Sequence, residues 1–129
     1  MARKASEQPT DVELAILRVL WARGPSSVRE VHEALLATRD TGYSTTLKMM
    51  QVMFEKGLLR RDESRRPQVY APVVAEEQTQ SAMVDELVRK VFGGSARKLV
   101  MRAVQSESVT AEELAEIRKL LKKLEGDKR

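Results

Sequence analysis

The polar and apolar positions of the first half of the chain predict three successive helices. Thr10 and Ser27 are each followed three residues later by a glutamate, a pattern that caps the start of a helix. Apolar residues then recur every three or four positions, as they do on one face of a helix. A third helix is predicted from about Ser44, with its buried face centred on Met50.

Two short β-strands are predicted after the third helix. Residues 58–61 and 68–71 have the composition of strands, and Pro72 is expected to end the second one. The polar loop between them carries Arg65 and Arg66 at its tip. Three helices followed by a two-stranded hairpin form the order of a winged helix-turn-helix, so the predicted fold class is mainly α.

Residues 76–129 return to a helical pattern with three apolar stripes. Three short helices with Phe92 as their only aromatic residue bury too little surface to form a stable bundle. We therefore expect a second copy to cover the stripes, the alternative being that they pack on the winged helix of the same chain. The sequence predicts a winged-helix domain at residues 1–75 and a helical dimerisation domain at residues 76–129. The predicted interface residues are Val84, Leu87, Val88, Val91, Phe92, Leu99, Val100, Ala103, Leu114, Ile117 and Leu121.

The positive charge is concentrated in the middle of the chain. The 129 residues have a net charge of +4, and residues 44–75 hold six basic residues against three acidic ones. The outer face of the third helix presents short hydroxyls, a lysine and an amide, which are groups that reach base edges in the major groove. The alternative is a helix cap and an ordinary solvated surface. The predicted DNA-binding residues are Tyr43, Ser44, Thr45, Lys48, Met49, Gln51, Val52, Arg65 and Arg66.

The chain lacks the residues that several kinds of metal site and catalytic site require. The chain has no cysteine and a single histidine, His32, which is too few for a thiolate or imidazole metal site and for a Ser-His-Asp triad. No apolar run is long enough to span a membrane, and the charged start at Arg3-Lys4 does not lead into a signal peptide. We expect a soluble, cytoplasmic protein that is not an enzyme and has no catalytic residues, cofactor or bound metal.

Several segments together resemble a known family. They are LRVLWARGPSSVREVHEAL at residues 17–35, YSTTLKMMQVMFEKGLLRR at 43–61 and YAPVV at 70–74, followed by the helical region. These segments resemble the penicillinase-repressor family of BlaI, MecI and CopY-type transcriptional regulators, from about Thr10 to Leu124. The resemblance implies a homodimeric winged-helix repressor that binds inverted-repeat operators and is displaced by an inducing signal.

The resemblance also indicates how such repressors are released. In the β-lactam branch a membrane sensor protease triggers cleavage within the dimerisation helices, whereas in the copper branch a C-terminal cysteine cluster binds metal. This chain has no cysteine, which excludes the copper branch. The Asn-Phe cleavage pair of the β-lactam branch falls here at Arg102-Ala103, and Val52 stands where family members often carry arginine.

The function predicted from these features is that of a bacterial transcriptional repressor. It would bind a pseudo-palindromic, double-stranded DNA operator as a homodimer, with a sensor-linked protease as a further partner. The alternative is a winged-helix protein-interaction module whose basic wing contacts an acidic partner without sequence-specific DNA binding. Salt-dependent binding with a strong preference for one duplex sequence distinguishes the repressor from this alternative.

Overall fold

The computed structural model of the protein describes residues 8–128, so the predicted absence of a signal peptide at Arg3-Lys4 concerns residues outside the described range. Within this range the chain forms six helices and two strands. They are α1 (Asp11–Arg23), α2 (Val28–Leu35), α3 (Tyr43–Glu55), β1 (Leu59–Asp62), β2 (Val69–Pro72), α4 (Glu76–Lys90), α5 (Ala96–Val104) and α6 (Ala111–Asp127). The predicted mainly helical class and the order of three helices and a hairpin are confirmed.

Three of the helices begin at capping boxes, among them the boxes predicted at Thr10 and Ser27. The Thr10, Ser27 and Thr110 hydroxyls each accept a hydrogen bond from the backbone N–H three residues ahead. In each case the glutamate at that third position accepts the N–H of the capping residue in return. At the other end of α1, Gly24 adopts a φ of 88°, a conformation that glycine tolerates better than other residues.

One hydrophobic core joins α1, α2, α3 and the hairpin. The side chains at its centre are almost fully buried: Ile16, Leu17, Leu20, Val31, Leu35, Met50, Met53, Leu59 and Tyr70. β1 and β2 pair antiparallel, and Ser26 adds a bridge to Tyr70 through backbone bonds of 3.0 and 2.8 Å. This bridge fixes the start of α2 to the hairpin.

Several predicted boundaries are corrected by the structure. The second strand includes Pro72, because proline is tolerated at the end of an edge strand where its missing N–H is not required. The first strand begins at Leu59, although the carbonyl of Leu58 still accepts the Val73 N–H at 2.9 Å. α4 ends at Lys90, two residues before the predicted end, ahead of the positive-φ residues Gly93 and Gly94.

The chain divides into two compact units within α4. The first, here called the winged-helix unit, ends at Val84, and the second, the C-terminal unit, begins at Asp85. Neither α5 nor α6 contains a buried residue. None of the helices between residues 8 and 128 combines the length and the apolar character that crossing a bilayer requires.

Candidate nucleic-acid interface

Helix α3 begins at Tyr43, within one residue of the predicted start near Ser44. Its N-cap is Gly42, which has no side chain to cap the first turn, so Ser44 lies inside the helix and does not act as its cap. The Ser44 and Thr45 side chains are exposed, whereas Thr46 is buried and donates its hydroxyl to the Gly42 carbonyl at 3.3 Å. The first turn of α3 therefore presents free hydroxyls beside backbone N–H groups that no side chain satisfies.

The outward face of α3 contains most of the predicted DNA-binding residues. Ser44, Thr45, Lys48 and Gln51 are all exposed. Val52 is half-buried, and Met49 is half-buried and packs against the core, so these two present less surface than the others. Since the exposed residues are uncharged or positive, this face carries no carboxylate until Glu55.

Tyr43 is held at the start of α3 by two side chains of α2. The Arg29 guanidinium carbon lies 5.2 Å from the centre of the Tyr43 ring, a cation–π distance. The His32 ring meets the same tyrosine edge to face, with ring centres 5.8 Å apart. Tyr43 remains 40% exposed, so its position is fixed while its surface stays accessible. Sequence reasoning did not identify Arg29 as a residue of this surface.

The wing consists of β1, β2 and residues 63–68 between them. Arg66 donates to the Glu63 carbonyl at 2.7 Å and to the Arg65 carbonyl at 3.1 Å, so part of its guanidinium holds the loop together. No hydrogen bond or ion pair among the described residues holds the Arg65 side chain, and its charge is near that of Asp62. Hydrogen bonds from Ser64, aided by Arg65, keep the pKa of Asp62 below its usual value. The wing tip thus presents positive groups on an ordered loop.

The two neighbouring arginines of β1, Arg60 and Arg61, differ in their exposure. Arg60 is exposed, whereas only 20% of the Arg61 side chain is accessible. The Arg61 guanidinium carbon lies 4.0 Å from the centre of the Phe54 ring and 5.9 Å from that of Tyr70. Its Nη2 also pairs with Glu63 at 2.8 Å. Arg61 therefore ties the wing to the end of α3, and Arg60 is the arginine of this strand that is available to a ligand.

A second ionic contact holds the C-terminal end of α3. Lys56 Nζ donates to Glu13 Oε2 at 3.0 Å, and Glu13 is only 1% exposed. The other carboxylate oxygen of Glu13 accepts the Thr10 N–H at 3.0 Å. Because a buried carboxylate requires hydrogen-bond partners, this pair fixes the end of α3 to the start of α1.

An open groove of about 420 Å³ lies between α2, α3 and the wing. Its polar wall includes Ser27, Arg29, Glu30 and Glu33, and its aromatic wall includes Tyr43. Hydrogen bonds from the Ser27 backbone and hydroxyl lower the pKa of Glu30, which keeps this carboxylate charged. The groove borders the outward face of α3 at Gln51 and the wing at Pro67 and Gln68.

The predicted dimer residues lie on poorly covered surfaces. Seven of them are exposed: Val84, Leu87, Val91, Val100, Ala103, Leu114 and Leu121. Four are half-buried: Val88, Phe92, Leu99 and Ile117. Arg102 and Ala103, the predicted cleavage pair, are exposed in the last turn of α5.

The family model for the penicillinase repressor matches residues 9–123 of this chain. The chain belongs to the penicillinase repressor family. The transcriptional regulator BlaI of Mycobacterium tuberculosis is 37% identical over 118 residues, which cover 90% of this chain and 84% of that protein. The penicillinase repressor of Bacillus licheniformis is 22% identical over 98% of both chains, and MecI of Staphylococcus aureus is 21% identical over 88% of this chain and 93% of its own.

A solved structure supports the winged-helix fold of this penicillinase repressor family member. A MarR family protein from Bacillus stearothermophilus superimposes with a TM-score of 0.54 over 92% of this chain and 74% of its own, at 18% identity. The penicillinase repressor family consists of transcriptional repressors, which confirms the predictions that the chain is a repressor and not an enzyme. The chain therefore acts by binding and not by catalysis.

Proposed function

We propose that this chain represses transcription in the bacterial cytoplasm by binding a pseudo-palindromic operator as a homodimer. The observation that carries the proposal is the exposed, carboxylate-free start of α3 next to a positively charged wing. A helix of this kind fits the major groove, where short polar side chains contact base edges. DNA binding is assigned to residues 1–75, and dimerisation to residues 76–129.

The two positive surfaces have different roles in this proposal. Ser44, Thr45, Lys48 and Gln51 on α3 contact bases, with Tyr43, Met49 and Val52 at the margins of the contact. Arg65 and Arg66 contact the phosphate backbone or the flanking minor groove, because an arginine at a loop tip neutralises phosphates without reading sequence.

The exposed apolar stripes of α4, α5 and α6 support pairing with a second copy. A dimer of this kind places two recognition helices about 34 Å apart, one turn of B-DNA, which requires two related half-sites. Linked half-sites also add avidity, so separating the protomers releases the operator.

Release by a sensor-linked protease that cuts at Arg102-Ala103 belongs to the same proposal, in line with a repressor of the β-lactam-resistance type. Both residues are exposed, which supports access. They also lie within a helix, so a protease must first unwind the last turn of α5 to reach this peptide bond. Mass spectrometry of the protein from β-lactam-treated cells tests the cut: an intact chain with derepressed target genes contradicts it.

The assigned roles are tested by affinity measured against salt concentration. The duplexes are an operator selected from random sequences and a scrambled duplex of equal length and composition. Lys48→Ala is expected to weaken operator binding by ~1–3 kcal/mol and to relax preference at one position, if its amine contacts a guanine edge. Arg65→Ala is expected to weaken binding to both duplexes equally. It should also reduce the slope of log affinity against log salt concentration by about one.

Lys122→Ala is the matched control, because it removes one exposed positive charge from α6 and leaves the proposed interface intact. Equal affinity of the unmodified protein for the operator and the scrambled duplex contradicts the repressor proposal and favours a protein-interaction module. The assigned roles are reversed if Arg65→Ala changes the sequence preference while Lys48→Ala changes neither the affinity nor the preference.

A further inference from the structure

The stretch from Val91 to Ser106 carries only positive charge. It contains Arg97, Lys98 and Arg102 and no acidic residue. The nearest acid before it, Glu86, is already paired with Arg89 and with Lys90, the latter at 3.0 Å. Among the described residues, none of the three cations of this stretch forms an ion pair.

These cations surround a small groove on one side of α5. The groove has a volume of about 220 Å³ and is lined by Phe92, Arg97, Lys98, Met101, Arg102 and Gln105. Met101 is 47% exposed, which leaves an apolar side chain uncovered between positive ones. The groove therefore combines positive charge with an aromatic ring and a thioether.

The helical step places this groove away from the apolar stripe of α5. At 100° per residue, Leu99, Val100 and Ala103 lie on one face, whereas Lys98 and Met101 lie on the opposite face. On the proposed function, a second copy covers the stripe and leaves the groove of α5 open. A ligand of the groove thus leaves the apolar stripe of α5 free and shares only Phe92 with the proposed interface.

We propose that this groove binds a small organic carboxylate attached to a short aromatic or apolar group. Arginine presents planar donors that match a carboxylate, and the pairing is strengthened because both partners are charged. Phe92 and Met101 supply contacts for an aromatic body. Pockets for drug-sized ligands measure about 300–1,000 Å³, so a groove of this size accepts a smaller molecule such as a single substituted ring.

Titration calorimetry of the full-length protein with benzoate tests the site. Benzamide is the uncharged comparison of the same shape, and inorganic phosphate is an anion without an apolar body. Benzoate is expected to bind once per chain and about tenfold or more tightly than either, since hydrogen bonds between charged groups are the strong ones. Equal binding of benzamide, or of phosphate, overturns the proposed ligand class.

A pair of variants locates the binding. Arg97→Gln with Lys98→Gln is expected to weaken benzoate binding about tenfold or more, since two charged donors are lost. Lys119→Gln with Lys122→Gln removes the same charge from α6. This pair is expected to change the affinity for benzoate less than about twofold, because exposed distant charges are screened. Equal losses in both pairs show a general charge effect and overturn the site.

Amide chemical shifts keep the test independent of stability and of DNA binding. In labelled full-length protein, benzoate is expected to shift resonances of residues 91–106 and to leave those of α3 unchanged. Shifts confined to the winged-helix unit contradict the proposal. Operator affinity of the Arg97→Gln, Lys98→Gln protein, measured without benzoate, reports separately on the proposed repressor function.

Discussion

The winged-helix unit and the C-terminal unit bury their apolar residues to very different extents. In the first, Ile16, Leu17, Val31, Met50 and Met53 are completely inaccessible. In the second, neither α5 nor α6 buries any side chain, and Val91 is 64% exposed. Of the twelve large apolar side chains exposed between residues 8 and 128, nine lie at Val84 or beyond, so the apolar surface is concentrated in the region assigned to dimerisation.

This difference indicates that the two units are stabilised by different contacts. The winged-helix unit has a complete core and can fold as a single chain, because buried apolar area is the main favourable term in folding. The C-terminal unit has capped helices but no buried interior, and we expect association to complete its folding. Stability of the first unit is then independent of protein concentration, and stability of the second is not.

The largest expected effect comes from disrupting the apolar stripe of α6. Ile117→Asp places a charge where the proposed dimer buries an apolar residue, and an unpaired buried charge is strongly unfavourable. The variant is expected to sediment as a monomer and to lose about 10²–10⁴-fold in operator affinity, the avidity of two linked sites. Lys119→Asp also adds a negative charge to α6, on the opposite face, and should stay dimeric. A dimeric Ile117→Asp protein contradicts the assigned interface.

The comparison is sharpened by equivalent truncations in the two units. Met53→Ala is expected to destabilise the winged-helix unit by ~2–5 kcal/mol at every protein concentration, because it leaves a cavity in a complete core. Leu121→Ala removes a side chain that is 48% exposed and is expected to act only on association. Calorimetric unfolding at two protein concentrations separates these effects. A concentration-dependent loss in Met53→Ala shows that the first unit also depends on pairing.

The smallest expected effect concerns the helix caps. Ser27→Ala removes the capping hydroxyl of α2 and is expected to cost ~0.5–2 kcal/mol in unfolding of the winged-helix unit. Thr110→Ala removes the equivalent hydroxyl of α6 and is expected to leave unfolding of the winged-helix unit unchanged. Thermal unfolding of both variants, followed by circular dichroism, tests this. An equal loss in both variants contradicts independent units.

The cap of α2 also gives a pH dependence of known sign. Ser27 lowers the pKa of Glu30 below its usual 4.5, so the charged carboxylate stabilises the folded state above that value. This contribution is lost as the pH falls through the lowered pKa. The difference in melting temperature between the original protein and Glu30→Gln, whose side chain does not ionise, is therefore expected to shrink below about pH 4.5.

Local patterns predicted the helices well, because capping and periodicity depend on residues within a few positions of each other. The boxes at Thr10 and Ser27 and the buried face around Met50 are all in the structure. The start of α3 was predicted to within one residue, although Gly42 caps it through its backbone conformation alone and leaves no side-chain signal.

Contacts between distant residues could not be predicted in this way. Lys56 and Glu13 are 43 positions apart, and no local pattern pairs them. Alternation along a strand places Arg60 and Arg61 on opposite sides, but it does not show which of them packs on Phe54. The outward face of α3 was predictable by rotation, whereas the packing of Met49 against the core depends on neighbours that the rotation does not include.

The only tryptophan of the chain marks the point where the hairpin leads into α4. The Trp21 indole N–H donates to the Val74 carbonyl at 3.0 Å, two residues before α4 begins. Its fluorescence is therefore a built-in optical probe of this connection, which needs no added dye. Because no other tryptophan contributes to the emission, a spectral change on operator binding or dimer separation reports on the surroundings of Trp21 alone.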